Sequence, residues 1–389
     1  MKARPSSAGR HRRRILKVLF AIKGLNTAGG AERVICDVTS YLADCRGHEV
    51  SLLTFDGEDP EPFYPVSRAV RPVRLGIGDT RSSTSLPILL RRVWALRRAV
   101  VLRAPDVVVA FMHSMFVPMA FALSGTGIPL IASEHIVRDY YRSRRLQFAL
   151  FAAAMPLIRC VTVLSDSIAR GYPRWIRRKM IAVTNPIGPT FQRAWEGPKD
   201  SRRILSIGRF SKRKGHATLL AAFASLAEEF PDWSLRILGD GVLRPAIQAE
   251  VERLGLQERV SLPGAVTDVA GELANASFFA LASRYESFGL VFAEAMACGK
   301  ASVAFADCQG VNELVEDGET GLLVNGPDRI QAMASGLRRL MVDAKTREAM
   351  GKRARQSVFR RFAIDRVCDR WEEILQSATR PAMARMPTR

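Results

Sequence analysis

The sequence predicts an α/β protein of two domains, each built on a doubly wound parallel sheet. Three observations carry that expectation. Short apolar strands alternate with amphipathic helices along most of the chain, the pattern of a parallel sheet with helical crossovers. The alternation breaks once, at 185–201 (NPIGPTFQRAWEGPKDS), where three prolines and two glycines mark an interdomain linker. The chain has 389 residues, 48% of them apolar, which is enough for two cores.

Met1–Arg14 is basic and precedes ILKVLFAI, which imitates a signal peptide. That run has eight residues, is interrupted by Lys17 and lacks a small-residue cleavage site. It reads as a first strand, Ile15–Ile22, behind a basic flexible tail. A loop and a helix from about Ala31 to Leu42 follow. Val50–Phe55, Asp106–Met112, Pro129–Ser133 and Cys160–Leu164 read as further strands. Leu86–Arg103 reads as a helix with Leu89, Val93, Leu96 and Val100 on one face and Arg91 and Arg98 opposite.

The second series starts with strand Ile204–Gly208 and helix His216–Glu229. Strand Leu235–Leu238, helix Pro245–Leu254, strand Val260–Leu262, helix Asp268–Ala274 and strand Phe278–Ala282 come next. Helix Phe288–Cys298, strand Ser302–Ala306, helix Val311–Asp317 and strand Gly321–Val324 close the sheet. Helices near Ile330–Val342, Thr346–Phe359 and Ile364–Gln376 end the chain. The boundaries are therefore a tail at 1–14, a first domain at 15–190, a second at 191–362, a helix at 363–378 and a tail at 379–389. No apolar run approaches the ~20 residues needed to cross a bilayer. The six cysteines show no metal spacing, which suits free thiols in a reducing compartment.

The formal charge of +20 is unevenly placed. Residues 1–190 hold 29 Lys/Arg against 13 Asp/Glu, and residues 191–389 hold 29 against 25. The front half therefore suits an anionic partner, such as lipid headgroups, a phosphorylated acceptor or nucleic acid. An arginine-rich, solvated surface is the plainer account of the same numbers.

Chemistry concentrates in Ser283–Glu294 (SRYESFGLVFAE). Glu286 stands at the mouth of a helix and Glu294 two turns inside it. Ser287 is a candidate N-cap, and Phe288, Gly289 and Leu290 follow with unpaired backbone N–H groups. Such a helix start favours a phosphate. The carboxylates on either side suit hydroxyl-rich groups, as in a nucleotide sugar with ribose at one end and hexose at the other. A capped amphipathic helix with no ligand accounts for the residues equally. Gly208–Gly215 (GRFSKRKG) leaves a strand for a helix at the ligand edge of an open α/β sheet. Arg209 can grip a diphosphate through two N–H groups and Lys214 can add a point charge, with Lys212 and Arg213 facing solvent. A solvated basic turn is the alternative. Gly29 and Gly30 lie in a glycine-rich strand–helix loop without a P-loop pattern. His135 ends the IASEH segment after a strand and can polarise a sugar hydroxyl, or be a structural histidine; His113 has a weaker claim. Arg209, Lys214 and the helix end suffice to neutralise a leaving diphosphate, and no Asp-x-Asp pair occurs, so no metal cofactor is expected.

As an ordered set, these pieces resemble the large retaining glycosyltransferase family four, glycosyl transferases group 1, over most of Ile15–Phe362. The resemblance rests on E-x7-E (Glu286, Glu294), G-R-x4-K-G (Gly208, Arg209, Lys214, Gly215), Gly239-Asp240-Gly241 and the GLLV-like Gly318–Val324. It implies the GT-B fold, two Rossmann-like domains facing across a cleft, with the acceptor on the first and the nucleotide sugar on the second. It implies that Glu286 holds donor hexose hydroxyls with the Phe288, Gly289 and Leu290 amides, and that Glu294 holds the ribose. Arg209 and Lys214 would stabilise the departing diphosphate, and Gly29 and Gly30 would approach donor phosphate or acceptor. Gly264 and Val266, within VSLPGAV, would flank the base, and His135 matches the family's histidine of the first domain. The implied mechanism is front-side displacement with retention. Lys300 stands where proline is frequent in the family, and Gln309-Gly310-Val311-Asn312-Glu313 replaces its GG-x-P-E pattern.

The resemblance further implies a UDP- or GDP-sugar co-substrate, with no cofactor, and transfer of a hexose or N-acetylhexosamine to a lipid-linked or cell-envelope glycan. Two clusters suit an anionic membrane: Arg138, Arg142, Arg144 and Arg145 with Tyr140 and Tyr141, and Arg170, Arg174, Arg177, Arg178 and Lys179 with Tyr172 and Trp175. The expected location is the inner face of the cytoplasmic membrane, peripherally bound. A nucleotide-sugar epimerase or a soluble sugar-phosphate glycosyltransferase fits the same architecture. Nucleic acid is not an expected partner, because the charge comes with no nucleic-acid-binding signature and ribose-facing carboxylates repel a polyanion.

Overall fold

The computed structural model describes residues 14–57, 61–77, 86–194 and 201–380. The basic tail before Arg14, most of the 379–389 tail and the later part of the expected linker lie outside the described residues. Two compact units divide the chain. The first contains the residues up to Val163, Tyr172–Ile181 and the chain from Cys368 onward; the second contains Leu164–Gly171 and Ala182–Val367.

In chain order the elements are β1 Lys17–Ala21, α1 Gly30–Arg46, β2 Glu49–Thr54, β3 Arg71–Arg74, α2 Leu86–Arg103, β4 Val107–Phe111, α3 His113–Ala122 and β5 Leu130–Ser133. Then come α4 Arg145–Ala154, β6 Cys160–Val163, α5 Asp166–Arg170, α6 Arg174–Arg177, β7 Met180–Ala182, α7 Pro189–Arg193, β8 Arg203–Ile207 and α8 His216–Ala224. They continue with β9 Ser234–Leu238, α9 Arg244–Arg253, β10 Val260–Gly264, α10 Val269–Ala274, β11 Phe278–Ala280, α11 Leu290–Ala297, β12 Ser302–Phe305 and β13 Leu322–Val324. Helices α12 Arg329–Val342, α13 Ala344–Phe362 and α14 Ile364–Thr379 end the described chain.

The first sheet has strand order β3-β2-β1-β4-β5-β6-β7 and the second β10-β9-β8-β11-β12-β13. Central strands are apolar throughout because helices cover both faces; all five residues of β4 (VVVAF) are buried. Proline is confined to the edge: Pro72 sits in β3, whose burial pattern leaves only Val73 inside. Each sheet reverses its order once, between β1 and β4 in the first and between β8 and β11 in the second. Ligand crevices form at such reversals, outside the carboxyl ends of the strands.

Several sequence expectations change. The 311–317 segment is a succession of turns rather than a helix. Residues 185–194 do not behave as a free linker: the Ile187 amide donates to Phe362 O at 2.8 Å, Phe191 is buried, and the units divide at Ile181/Ala182. Helix α2 turns Arg92, Leu96, Ala99 and Val100 inward, while Leu89 is exposed. Arg92 lies over the Phe55 ring at 4.7 Å and donates to Ile77 O, so its charged head is satisfied under the helix. The later part of α14 packs into the first unit. Trp371 stacks on Phe111 (6.1 Å between rings) and meets Phe20 edge-on, while Arg46 reaches Asp369 at 2.7 Å.

Candidate active site

The second unit's order reversal brings the loop after β8 against the loop after β11. Gly215, at the end of the first loop, adopts the left-handed region (φ 66°), and a Cβ there would stand 2.1 Å from Ala282 O. Only glycine permits that approach. The Arg284 amide donates to Arg213 O at 2.9 Å, which closes the two loops on each other.

Lys214 and Glu286 meet across this seam. Lys214 Nζ donates to Glu286 Oε1 at 2.7 Å, and Ser283 Oγ donates to the same oxygen at 2.6 Å. The Lys214 and Glu286 side chains are only 10% and 8% exposed. Burial pushes the Glu286 carboxyl upward, but Lys214 and Arg213 outweigh it and hold the group below its ordinary range. Glu286 is therefore a carboxylate at neutral pH. Its backbone is braced by the segment that departs from the family pattern. The Glu286 amide donates to Gln309 O at 2.9 Å, Tyr285 bridges Gln309, and a Cβ on left-handed Gly310 would stand 2.4 Å from Glu286 O.

Two expectations about this stretch are corrected. Helix α11 begins at Leu290, and its N-cap is Gly289 in the left-handed region (φ 83°), not Ser287. Ser287 therefore does not cap the helix; Glu286 and Phe288 lie in the loop before it. The Phe288 ring packs edge-on against Phe362 at 5.2 Å, so only its backbone is available to a ligand. Arg213 is half-buried rather than wholly solvent-facing: it lies 5.2 Å over the Tyr285 ring and adds to the field on Glu286. Glu294 is buried within α11. Gly289 and Leu290 place the free amides of the helix start beside Glu286, in the manner of an anion site.

Arg209 follows β8, is exposed, and has no hydrogen-bond or ion-pair partner among the described residues. Its five donors are thus uncommitted. Gly264 ends β10 and its carbonyl accepts the Gly239 amide at 2.8 Å; Val266 is half-buried just beyond. His216, which the sequence reading passed over, is buried edge-on to Phe210. Burial, then the Lys214 charge, depress its pKa to about 4. Ser283, Arg213 and Gln309 also act on Glu286: Ser283 from its own loop, Arg213 from across the seam and Gln309 from the loop after β12. The sequence alone gives none of these three contacts. Among the described residues no group of three or more His, Cys, Asp or Glu is placed to hold a metal ion.

The first unit holds Gly29, Gly30 and His135. Gly29 is the N-cap of α1 and Gly30 its first residue. Glu32 sits in that first turn, its Oε1 accepting from Thr27 Oγ1 at 3.2 Å. A carboxylate there disfavours a bare phosphate and suits hydroxyls. His135 lies two residues past the end of β5, at the ligand edge. Its Nε2 lies 3.0 Å from Ser133 Oγ, and its ring stacks on Phe111 at 4.8 Å. Phe111 in turn stacks on Trp371. Burial lowers the His135 pKa to about 4, so the imidazole is neutral. His113 is lowered to about 4 by burial and then by Arg144.

The membrane clusters sort differently from expectation. Tyr141 and Tyr172 are buried, and Lys179 Nζ donates to Met155 O and Ile158 O. These three face inward. Trp175 and the other arginines stay outside, while Arg138 is half-buried over the Phe148 ring at 3.8 Å. All six cysteines are free.

Comparison with known proteins gives consistent matches. Residues 28–190 match the family described as Glycosyltransferase Family 4, and residues 189–357 match Glycosyl transferases group 1. A Campylobacter jejuni protein named GalNAc-alpha-(1->4)-GalNAc-alpha-(1->3)-diNAcBac-PP-undecaprenol alpha-1,4-N-acetyl-D-galactosaminyltransferase is 27% identical over 366 residues, 93% of this chain and 98% of that protein. A sucrose-phosphate synthase from Thermosynechococcus elongatus superposes with a TM-score of 0.78 at 21% identity, over 93% of this chain and 98% of its own. Anabaena HepE in complex with UDP-glucose superposes with a TM-score of 0.72 at 19% identity, over 93% and 100%.

Proposed function

We propose, for a chain that belongs to glycosyltransferase family 4 and has the GT-B fold, that it moves a hexose or N-acetylhexosamine from a nucleoside-diphosphate sugar to a lipid-linked or cell-envelope glycan, with retention and without a metal. The observation that carries the reading is the buried Lys214–Glu286 pair at the order reversal of the second sheet, beside uncommitted Arg209 and the free amides of α11. Glu286, ionised, accepts hydrogen bonds from sugar hydroxyls. Arg209, Lys214 and the helix start take up the charge of the leaving diphosphate, the part of the transition state where charge grows. The anomeric carbon becomes oxocarbenium-like and the acceptor hydroxyl attacks from the face the diphosphate leaves. The acceptor's proton passes to the departing phosphate oxygen. Glu294 holds the ribose, Gly264 and Val266 flank the base, and neutral His135 accepts or donates a hydrogen bond at a sugar hydroxyl. Gly29 and Gly30 approach donor phosphate or acceptor at the start of α1, where the Glu32 carboxylate fills the space beside Gly29.

The Campylobacter relative, named for an undecaprenol-diphosphate-linked acceptor, favours a lipid-linked glycan for this chain also. HepE, solved with UDP-glucose, favours a UDP-sugar. No helix among the described residues is long and apolar enough to cross a membrane. Peripheral binding at the inner face of the cytoplasmic membrane has support in α2. Leu90 and Trp94 are each 62% exposed, and Arg98 lies 5.5 Å over the Trp94 ring among further outward arginines. Amphipathic surfaces of this kind bind anionic interfaces.

A screen of UDP- and GDP-sugars against a lipid extract, read by mass spectrometry, tests the transfer. One donor is expected to extend a lipid-linked glycan, and Glu286→Ala to abolish the product while leaving the fold intact. Full activity of that variant removes Glu286 from the mechanism. Vesicle sedimentation is expected to pellet the protein only with anionic lipid, and less of the Trp94→Ser variant; equal pelleting with neutral vesicles overturns the membrane reading.

A further inference from the structure

The first unit contains a buried acid that the mechanism above leaves unused. Glu134 precedes His135 at the end of β5 and is 1% exposed. Its carboxyl is the hub of the loop that carries His135. Tyr141 OH donates to Oε2 at 2.5 Å, and the Ile136 amide donates to Oε1 at 3.0 Å. On the other side of the same residue, Tyr172 OH donates to Ile136 O at 3.0 Å. The chain from 134 to 136 is thus fastened on both sides, by one carboxyl and two tyrosines drawn from separate segments. A buried polar network of this kind is satisfied only in one arrangement and so fixes the backbone that it holds.

We propose that Glu134, clamped by Tyr141, is a positioning residue for His135, and that its protonation state sets how firmly the His135 loop is held. The proposal rests on the reading of His135 as a group that meets the sugar. An ionised carboxylate accepts from Tyr141 and the amides together; on protonation one oxygen becomes a donor, and the Tyr141 hydroxyl must turn to accept. Charge-assisted bonds are the stronger ones, so the ionised form grips more tightly. The groups around the carboxyl are Tyr141, Tyr172 and the adjacent His135, with Arg138 beside Tyr172 and His113 against Tyr140 and Tyr141. Arg144 acts on His113. Burial raises the Glu134 pKa to about 7, against the opposing pull of Tyr141 and the Ile136 and His135 amides. The switch therefore lies in the physiological range, where His135 itself, at about 4, does not titrate.

Two readouts test this on the full chain. The first is the His135 ring resonance in histidine-labelled protein, assigned among the five histidines by a His135→Gln variant. It is expected to shift with a midpoint near neutral pH in the wild type. The step should vanish in Glu134→Gln and move to higher pH in Tyr141→Phe, which lacks the bond that lowers the acid. The second is kcat against pH with a saturating nucleotide sugar. The wild type is expected to lose about tenfold on the acid side, because slight misplacement of a catalytic group costs that order, and Glu134→Gln to show a low, flat profile with donor KM unchanged. A His135 resonance that ignores pH between 6 and 8, or one that steps equally in Glu134→Gln, overturns the proposal. A resonance step with full activity in His135→Gln sustains the positioning claim and instead overturns the role assigned to His135.

Discussion

Removing Lys214 while leaving Glu286 in place is the sharpest perturbation of the second unit. At 2.7 Å the pair attracts by about 6 kcal/mol at an effective dielectric of ~20. Desolvating two charges that are nearly out of water costs several kcal/mol per ion, so the intact pair contributes little net stability. The asymmetry appears when one partner goes. In Lys214→Met, Glu286 keeps Ser283 and the field of Arg213 but loses its counter-charge. An uncompensated buried charge costs about 3–5 kcal/mol. For a unit of this size, that is a fall of roughly 8–15 °C in its thermal transition. Lys214→Met/Glu286→Leu is expected to recover most of the loss, while neither variant transfers sugar. Calorimetric scans of both variants, with a transfer assay on each, check this. A single variant that melts within a degree or two of wild type, or a double variant no better than the single, refutes the account of the pair as a functional device with little net stabilising value.

Arg209→Ala is expected to leave the melting temperature unchanged, since the side chain has no described partner. The transfer rate should fall by about 100- to 1,000-fold, the usual cost of losing one stabiliser of transition-state charge; steady-state kinetics beside a thermal scan check it. Gly310→Ala is expected to destabilise by about 1–3 kcal/mol, combining a left-handed backbone with a Cβ 2.4 Å from Glu286 O, and to lower kcat by displacing Glu286. Circular dichroism melts and a kcat measurement decide that. Acid should destabilise the fold through His216. Its folded pKa, about 4, lies below the ordinary 6.5, so the unfolded chain takes the proton first as pH falls. Stability is then fully present above about pH 6.5 and lost towards pH 4, by up to about 3 kcal/mol, and His216→Asn should flatten that limb in a pH series of melts.

The sheets were legible because parallel strands buried on both faces read as unbroken apolar runs such as VVVAF, and their helices carry the 3.6 period. Helix α3 escaped that reading: Met115, Phe116 and Met119 are buried together with Pro118, so no polar face marks its period and the proline argues against a helix. Edge strand β3, with one buried residue in four and a proline, gives no strand signal either. Within the site, Arg209, Lys214, Glu286 and Glu294 stood out through spacing. The pairing of Lys214 with Glu286 did not, because the two lie 72 positions apart and only the β8–β11 reversal brings them together. The helix start was misplaced for a local reason. Ser287 has the chemistry of a cap, but Gly289 alone takes the left-handed turn between Val311 and Phe292. Tyr141 and Tyr172 read as interfacial aromatics, yet their hydroxyls are spent on Glu134 and Ile136 O.

The most direct test of the central claim is calorimetric titration of UDP- and GDP-sugars into the wild-type protein and into Arg209→Ala. One donor is expected to bind the wild type, with at least tenfold weaker binding to the variant. If no nucleotide sugar binds, or the same donor binds both proteins equally, then the crevice at the β8–β11 reversal is not the donor site.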